Sequence, residues 1–303
     1  MRVWIHSDDA GISLSSTQRI LTAWKEGLID GFSILANGPA APVVYDRLAA
    51  DPRTPARLSV HLNLSEGPCS APPETVPSLL DREGNLNCGF LTLWTRWVSG
   101  SAESRTRWLE QIEREWRAQI FRVAQGVAPR PIMALDGHNH LHMLPFLFGT
   151  TLGLAREHSI PQVRFSMEPR HVPRPHFRLL SFPFWINGLK FLVLRVCCRA
   201  ARERFSIPRE LRTIPIVGIL SSGRMTARSA VAALEGARRD RIPEIECVFH
   251  VGRMEAGEVE SWKCRLRARR FFSSPWRQRE YEELSALDWS SHGFHRGFHS
   301  SRP

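Results

Sequence analysis

The sequence has no run of about 18 uninterrupted apolar residues, so no membrane-spanning helix is expected. Its opening residues, Met1 to Gly11, lack the basic segment and apolar core of a secretory signal, and none is read there. The six cysteines, Cys69, Cys88, Cys197, Cys198, Cys247 and Cys264, include no C-x-x-C pair. That spacing argues against a disulfide or zinc framework and predicts scattered reduced thiols in a cytoplasmic protein. Lysine is scarce, with only Lys25, Lys190 and Lys263 among 41 basic residues. Arginine favours phosphate and carboxylate recognition, but the codon bias of a GC-rich genome gives the same skew. No period of roughly 20–50 residues repeats, which excludes a solenoid.

What remains is an ordinary globular composition, 43% hydrophobic and 23% charged. A length of 303 residues suits one α/β barrel or two smaller domains. The net charge of +11 is unevenly placed: residues 1–150 carry 14 Arg and Lys against 15 Asp and Glu, and residues 151–303 carry 27 against 15. A basic half of this kind suits nucleic acid, phosphate or an anionic membrane surface. Its basic residues are scattered between apolar runs without an aromatic-interleaved patch, so nucleic acid is not expected as a partner.

Short β-like runs at Arg2–Ser7, Phe32–Ala36, Leu58–Asn63, Ile132–Asp136, Gln162–Ser166, Thr213–Leu220 and Glu244–His250 alternate with helical patterns. Ser15-Ser16-Thr17-Gln18 reads as a capping box before the first helix. Leu109, Ile112, Trp116, Ile120 and Val123 mark one face of a longer helix. Strands separated by helices pair in parallel through crossovers. About seven such units predict a closed or nearly closed α/β barrel in a single domain, residues 1–285. Residues 65–89, bearing Pro and Gly, are expected to loop over its top. Residues 286–303, with several histidines, are expected to form a disordered tail.

Polar and titratable residues cluster where these strands end: Asp8 and Asp9, His61 and Asn63, Asp136 and His138, and His250. Barrel enzymes build their sites at that face, because the loops converge there on rigid strands. Adjacent carboxylates point to opposite sides of a strand, so Asp8 and Asp9 can divide the work of binding a metal and accepting a proton. In Asp136-Gly137-His138-Asn139-His140-Leu141-His142 the chain is expected to leave its strand near His138. Not all three histidines then reach one ion, and His140 and His142 take supporting positions. The glycine before His138 would let a substrate or backbone approach closely. Asp9, His61 and His138 supply one carboxylate and two imidazoles, the donors of a hydrolytic metal site with open positions. That set does not select among Zn²⁺, Mn²⁺ and Mg²⁺.

Taken together, these segments resemble the YdjC-like family of carbohydrate deacetylases, which includes chitooligosaccharide and hopanoid-biosynthesis deacetylases. The similar blocks are Ser7-Asp8-Asp9-Ala10-Gly11, Leu58 to Gly67, Asp136 to Pro145, and Cys247-Val248-Phe249-His250-Val251-Gly252. Arg164 to Pro169 is similar to a stretch of the hopanoid branch. Departures are Ala10 for Phe, His6 for Asn and Val251 for Pro. The resemblance implies a deformed TIM-like (β/α) barrel and one divalent ion, usually magnesium, on the residues matching Asp9, His61 and His138. It implies removal of an N-acetyl group from an amino sugar, with Asp8 as general base and His250 protonating the leaving amine. Asp136 is then an orienting partner for an imidazole. Two other classes stay open: a metal-dependent hydrolase of another bond, and a carbohydrate-binding barrel without catalysis.

Residues 187–204 carry Leu189, Leu192, Val193, Val196 and Ala200 on one helical face and Arg195, Arg199 and Arg202 on another. That pattern reads either as a barrel helix packed on the core or as an interfacial helix meeting anionic lipid.

Overall fold

The computed structural model describes residues 1–169, 182–262 and 266–298. Seven parallel strands close into a barrel: β1 (Arg2–Ala10), β2 (Gly31–Ile34), β3 (Arg57–Leu62), β4 (Ile132–Gly137), β5 (Gln162–Phe165), β6 (Arg212–Val217) and β7 (Glu244–Phe249). They pair in chain order, and β1 closes the ring against both β7 and β2. The crossovers carry α1 (Leu14–Lys25), α2 (Ala41–Ala50), α3 (Phe90–Ser99), α4 (Ala102–Val127), α5 (Phe148–Glu157), α6 (Phe182–Arg204) and α7 (Ala227–Arg239). After β7 come α8 (Ala256–Ser261), α9 (Leu266–Phe272) and α10 (Pro275–Ser285).

The period-2 alternation of the strands decides what faces what. Ile5, Leu58, Val60, Leu62, Val163 and Ile245 point outward and join Ile20, Trp24, Ile112, Trp116 and Ile120 of the surrounding helices in the apolar core. Inward lie His6 and Asp8 of β1, Arg57 and His61 of β3, Gln162 and Arg164 of β5, and Glu246 of β7. Arg57 bonds Gln162 at 2.7 Å and Glu246 at 3.1 Å, and β3 is a sheet neighbour of neither β5 nor β7. Such contacts cross the lumen. TIM barrels ordinarily fill that space with branched apolar layers; this one fills it with buried charge.

Three expectations need correction. The tail is not disordered through its length: β8 (His295–Arg296) pairs with Arg2 and Val3 of β1, and Trp289 and Phe294 are buried. The cause is a vacancy in the sheet, because β2 begins opposite His6 and leaves the start of β1 without a neighbour on that side. Residues 299–303, including His299, lie outside the described residues. Second, α1 is capped by Ser13, whose side chain accepts from the Ser16 amide, not by Ser15. Third, the buried face of α6 is Leu194, Cys197, Cys198 and Ala201, while Leu189, Leu192 and Val196 are exposed. Among the described residues, no helix is long and apolar enough to cross a membrane, and the five described cysteines are free thiols.

Candidate metal centre

β1 runs on through both aspartates, and its register against β2 shifts between Ser7 and Ala10. Asp9 adopts a positive φ of 71°, a conformation uncommon for a residue with a Cβ. This irregularity sends the two carboxylates to different partners. Asp8 receives two parallel bonds of 2.8 Å from the Arg164 guanidinium. Burial would raise its carboxyl, but Arg164 together with His61 and His6 outweighs burial and holds it well below the usual carboxylate range. Asp9 accepts from Arg277 of α10 through Oδ2 at 2.7 Å, which leaves Oδ1 facing His61 and His138.

Around Asp9 Oδ1 the donors converge. His61 Nε2 lies 3.5 Å away and His138 Nδ1 3.2 Å away, and those two nitrogens are 3.2 Å from each other. Each imidazole is held from behind by a carboxylate: His61 Nδ1–H donates to Asp136 Oδ1 at 2.6 Å, and His138 Nε2–H donates to Glu66 Oε1 at 2.6 Å. Carboxylate oxygens only accept, so the outer nitrogens carry the hydrogens and the inner lone pairs meet at one point. Such a carboxylate–histidine arrangement orients imidazoles on a metal. Protons are the other occupants of that point. Burial alone would lower both imidazoles, but Asp8 and Asp136 push His61 up to about 10, and Glu66 and Asp9 push His138 up to about 9. A buried site that binds protons so tightly also suits a cation.

A second trio, His6, Asp8 and Asp136, has equally close ligand atoms. It already holds a cation, because one Arg164 nitrogen reaches Asp8 at 2.8 Å, Asp136 at 3.0 Å, and Glu246. Ser33 bridges the same group, donating to Asp136 and facing His6 at 2.7 Å. The guanidinium stands where an ion would have to sit, so this second trio is a scaffold.

The chain leaves β4 at Gly137 and turns sharply, with Asn139 and His140 both at positive φ, 56° and 58°. That turn separates the three histidines. His140 bonds Ser166 at 2.9 Å, and His142 donates through Nε2 to the Arg164 carbonyl at 2.9 Å. Burial keeps both neutral, with His142 pushed down to about 4. A Cβ at Gly137 would sit 2.5 Å from His142 Nδ1, so the group that approaches this glycine is the His142 ring. His142 thereby braces β5, which carries Arg164, which holds Asp8.

His250, at the end of β7, has its ring edge-on to Phe271 and its backbone amide bonded to Glu280 at 2.6 Å. Burial and the Arg277 charge push it down to about 4, and burial pushes Glu280 up to about 8. The segment after β7 thus supplies four groups that sequence reasoning missed. Arg277 holds Asp9, Glu280 holds the His250 backbone, Trp262 donates to Glu66 Oε2 at 3.0 Å, and Phe272 lies flat beside the His138 ring at 6.1 Å. Glu66 itself was visible inside a matching block, yet nothing in its spacing announced a partner for His138.

The family described as YdjC-like protein matches residues 2–289. The chain belongs to the YdjC-like family. Among curated relatives, this YdjC-like chain is 28% identical over 194 residues to a carbohydrate deacetylase of Halalkalibacterium halodurans, covering 63% of this chain and 75% of that one. It is also 28% identical over 187 residues to a chitooligosaccharide deacetylase of Yersinia pestis, covering 61% and 67%. Its fold is similar to a crystal structure described as a cellobiose-phosphate cleavage protein of Enterococcus faecalis V583, with a TM-score of 0.64 and 19% identity across 98% of this chain and 96% of that one.

Proposed function

We propose that this chain is a metal-dependent N-deacetylase that hydrolyses the N-acetyl group of an amino sugar. The observation that carries the reading is the convergence of Asp9, His61 and His138 lone pairs beside the Arg164-held Asp8. The activities for which the carbohydrate and chitooligosaccharide deacetylase relatives are named support the substrate class.

Asp9, His61 and His138 would hold the ion, magnesium by family resemblance, with Zn²⁺ and Mn²⁺ equally suited to two imidazoles and a carboxylate. A divalent ion held there would supply Lewis acidity toward the acetyl carbonyl and make a water easier to deprotonate. Asp8 accepts the proton of the attacking water; Arg164 weakens it as a base but fixes its direction. As the water oxygen bonds to the acetyl carbon and the C–N bond breaks, His250 delivers a proton to the departing amine. His250 is neutral at rest, so the proton it delivers is the one Asp8 takes from the water, passed to His250 before the C–N bond breaks. Asp136, Glu66 and Arg277 orient His61, His138 and Asp9. The products are acetate and the free amino sugar. The free thiols fit the reducing cytoplasm, where we place the protein.

An acetate-release assay tests the reading on N-acetylglucosamine, chitooligosaccharides and lipid-linked N-acetylglucosamine, each with and without chelator. Release from at least one sugar, abolished by chelator and restored by a divalent ion, is expected. No release from any sugar under metal supplementation would overturn it.

A further inference from the structure

Among the described residues, the most exposed large apolar side chains are Leu91 and Val98 of α3 and Trp185, Leu189, Leu192 and Val196 of α6, each between 60% and 72% exposed. On α6 they recur at i, i+4, i+7 and i+11, one continuous stripe. Scattered exposed leucines need no explanation, but a stripe opposite a buried face does.

Both helices flank the turn that carries His138. Trp97 of α3 stacks on Phe146 with centroids 4.6 Å apart, just past that turn, and α6 packs against His138–Met143 itself. Asn187 of α6 donates to the carbonyls of Leu220 and Ser222, at 3.3 and 3.1 Å, in the loop beyond β6. The apolar stripes therefore border the barrel mouth where the metal centre lies, and the bottom of the barrel is elsewhere.

Charge identifies the occupant. α6 contains Lys190, Arg195, Arg199, Arg202 and Arg204 against Glu203 alone. Two copies joined through α6 would oppose two strongly positive helices, which disfavours self-association. An anionic bilayer answers both features, because aliphatic and indole groups enter the headgroup boundary while arginines meet lipid phosphate.

We infer that the α3–α6 rim docks the barrel mouth onto an anionic membrane surface. This inference stands on the surface and is independent of the chemistry proposed for the site.

The test is co-sedimentation of the full chain with phosphatidylcholine vesicles, with and without phosphatidylglycerol. Binding is expected only to the anionic vesicles. It should fall steeply at about 0.5 M salt, where the screening length is roughly 4 Å. The exposed double substitution Leu189→Glu with Leu192→Glu should weaken binding more than about tenfold by removing two inserting side chains and adding charge. Far-UV circular dichroism and the thermal midpoint of the same variant should match the wild type, which shows that it is folded. Wild-type protein that stays in the supernatant with anionic vesicles at low salt overturns the inference. So does undiminished binding by the double variant. A wild-type dimer in size-exclusion chromatography that the double variant turns into a monomer also overturns it, because the stripe is then a self-interface.

Discussion

Glu66→Gln probes the metal centre at a residue that would hold no ion itself. Glu66 accepts from His138 Nε2 through one oxygen and from Trp262 Nε1 through the other. A glutamine has one acceptor, so it leaves either His138 or Trp262 with a buried unmatched N–H, and it removes a negative charge. Replacing a carboxylate behind a metal-bound histidine typically weakens the metal about 10- to 100-fold, or about 1.4–2.7 kcal/mol. Protons compete for the same lone pairs, and the sign of that competition matters. In the wild type, burial alone would lower His138, but the Glu66 charge and the bonds to Asp9 and Glu66 push it up to about 9. Ion binding near neutrality must expel that proton and the one on His61, which is pushed up to about 10, so affinity rises with pH until about 10. Removing Glu66 removes the largest upward push on His138, so the variant loses most at high pH and its dependence on pH is flatter. Isothermal titration with Mg²⁺, Mn²⁺ and Zn²⁺, in two buffers of different ionisation enthalpy, reads both affinity and protons released. Equal affinity of variant and wild type at about pH 9 would refute the reasoning. So would wild-type binding that releases no protons.

Asp8→Asn should lower kcat by about 10²- to 10⁴-fold while the ion still binds, since only the proton acceptor is lost; kinetics with metal analysis separates the two. His250→Ala should lower kcat by a similar order, with KM little changed, and the loss should shrink for a substrate whose leaving group needs no proton. Arg164→Met should cost about 3–5 kcal/mol, because it leaves Asp8, Asp136 and Glu246 buried without their shared cation. The pH dependence follows from Glu246, which burial would raise but Arg164, His6 and Arg57 hold at about 2. Its stabilisation is present above its ordinary value of 4.5 and is lost as pH falls toward about 2. Without Arg164 that margin narrows, so acid unfolding followed by circular dichroism should begin at higher pH. An unchanged acid midpoint would refute the buried network.

The positions of Asp9, His61 and His138 were legible because each stands where a strand ends, and parallel strands deliver such ends to one face. The strand–helix alternation likewise announced the barrel. Glu66, Trp262, Phe272 and Arg277 were not legible, since they reach the site from a loop and from helices after β7, and local periodicity holds no information about that return. Arg57 and Glu246 were missed for another reason. They sit near the starts and middles of strands, away from the strand ends where the site residues were sought. The signal existed in Arg57-Leu58-Ser59-Val60-His61, whose polar residues share one face that is buried rather than solvated. The ordered tail was hidden in the register of β1, which no single strand displays.

The charges of the lumen tie these pieces together. Five buried carboxylates, Asp8, Asp9, Glu66, Asp136 and Glu246, are linked by the contacts above to three buried guanidinium groups, Arg57, Arg164 and Arg277. With neutral imidazoles the network carries two negative charges, and a low-dielectric interior does not tolerate that imbalance. Arg164 and Arg57 carry two positive charges against the three negative charges of Asp8, Asp136 and Glu246, and Arg277 carries one against Asp9 and Glu66. Each group is short by one positive charge, and His61 beside Asp136 and His138 beside Glu66 stand at the two shortfalls, both facing Asp9 Oδ1. Two protons on those imidazoles would restore neutrality, which is why both are pushed far up. A divalent ion restores it equally, and it satisfies three lone pairs that protons can serve only in part. Exchange of two protons for one divalent cation leaves the barrel's interior charge unchanged, so the scaffold of Arg164 and Asp8 need not move when the ion arrives.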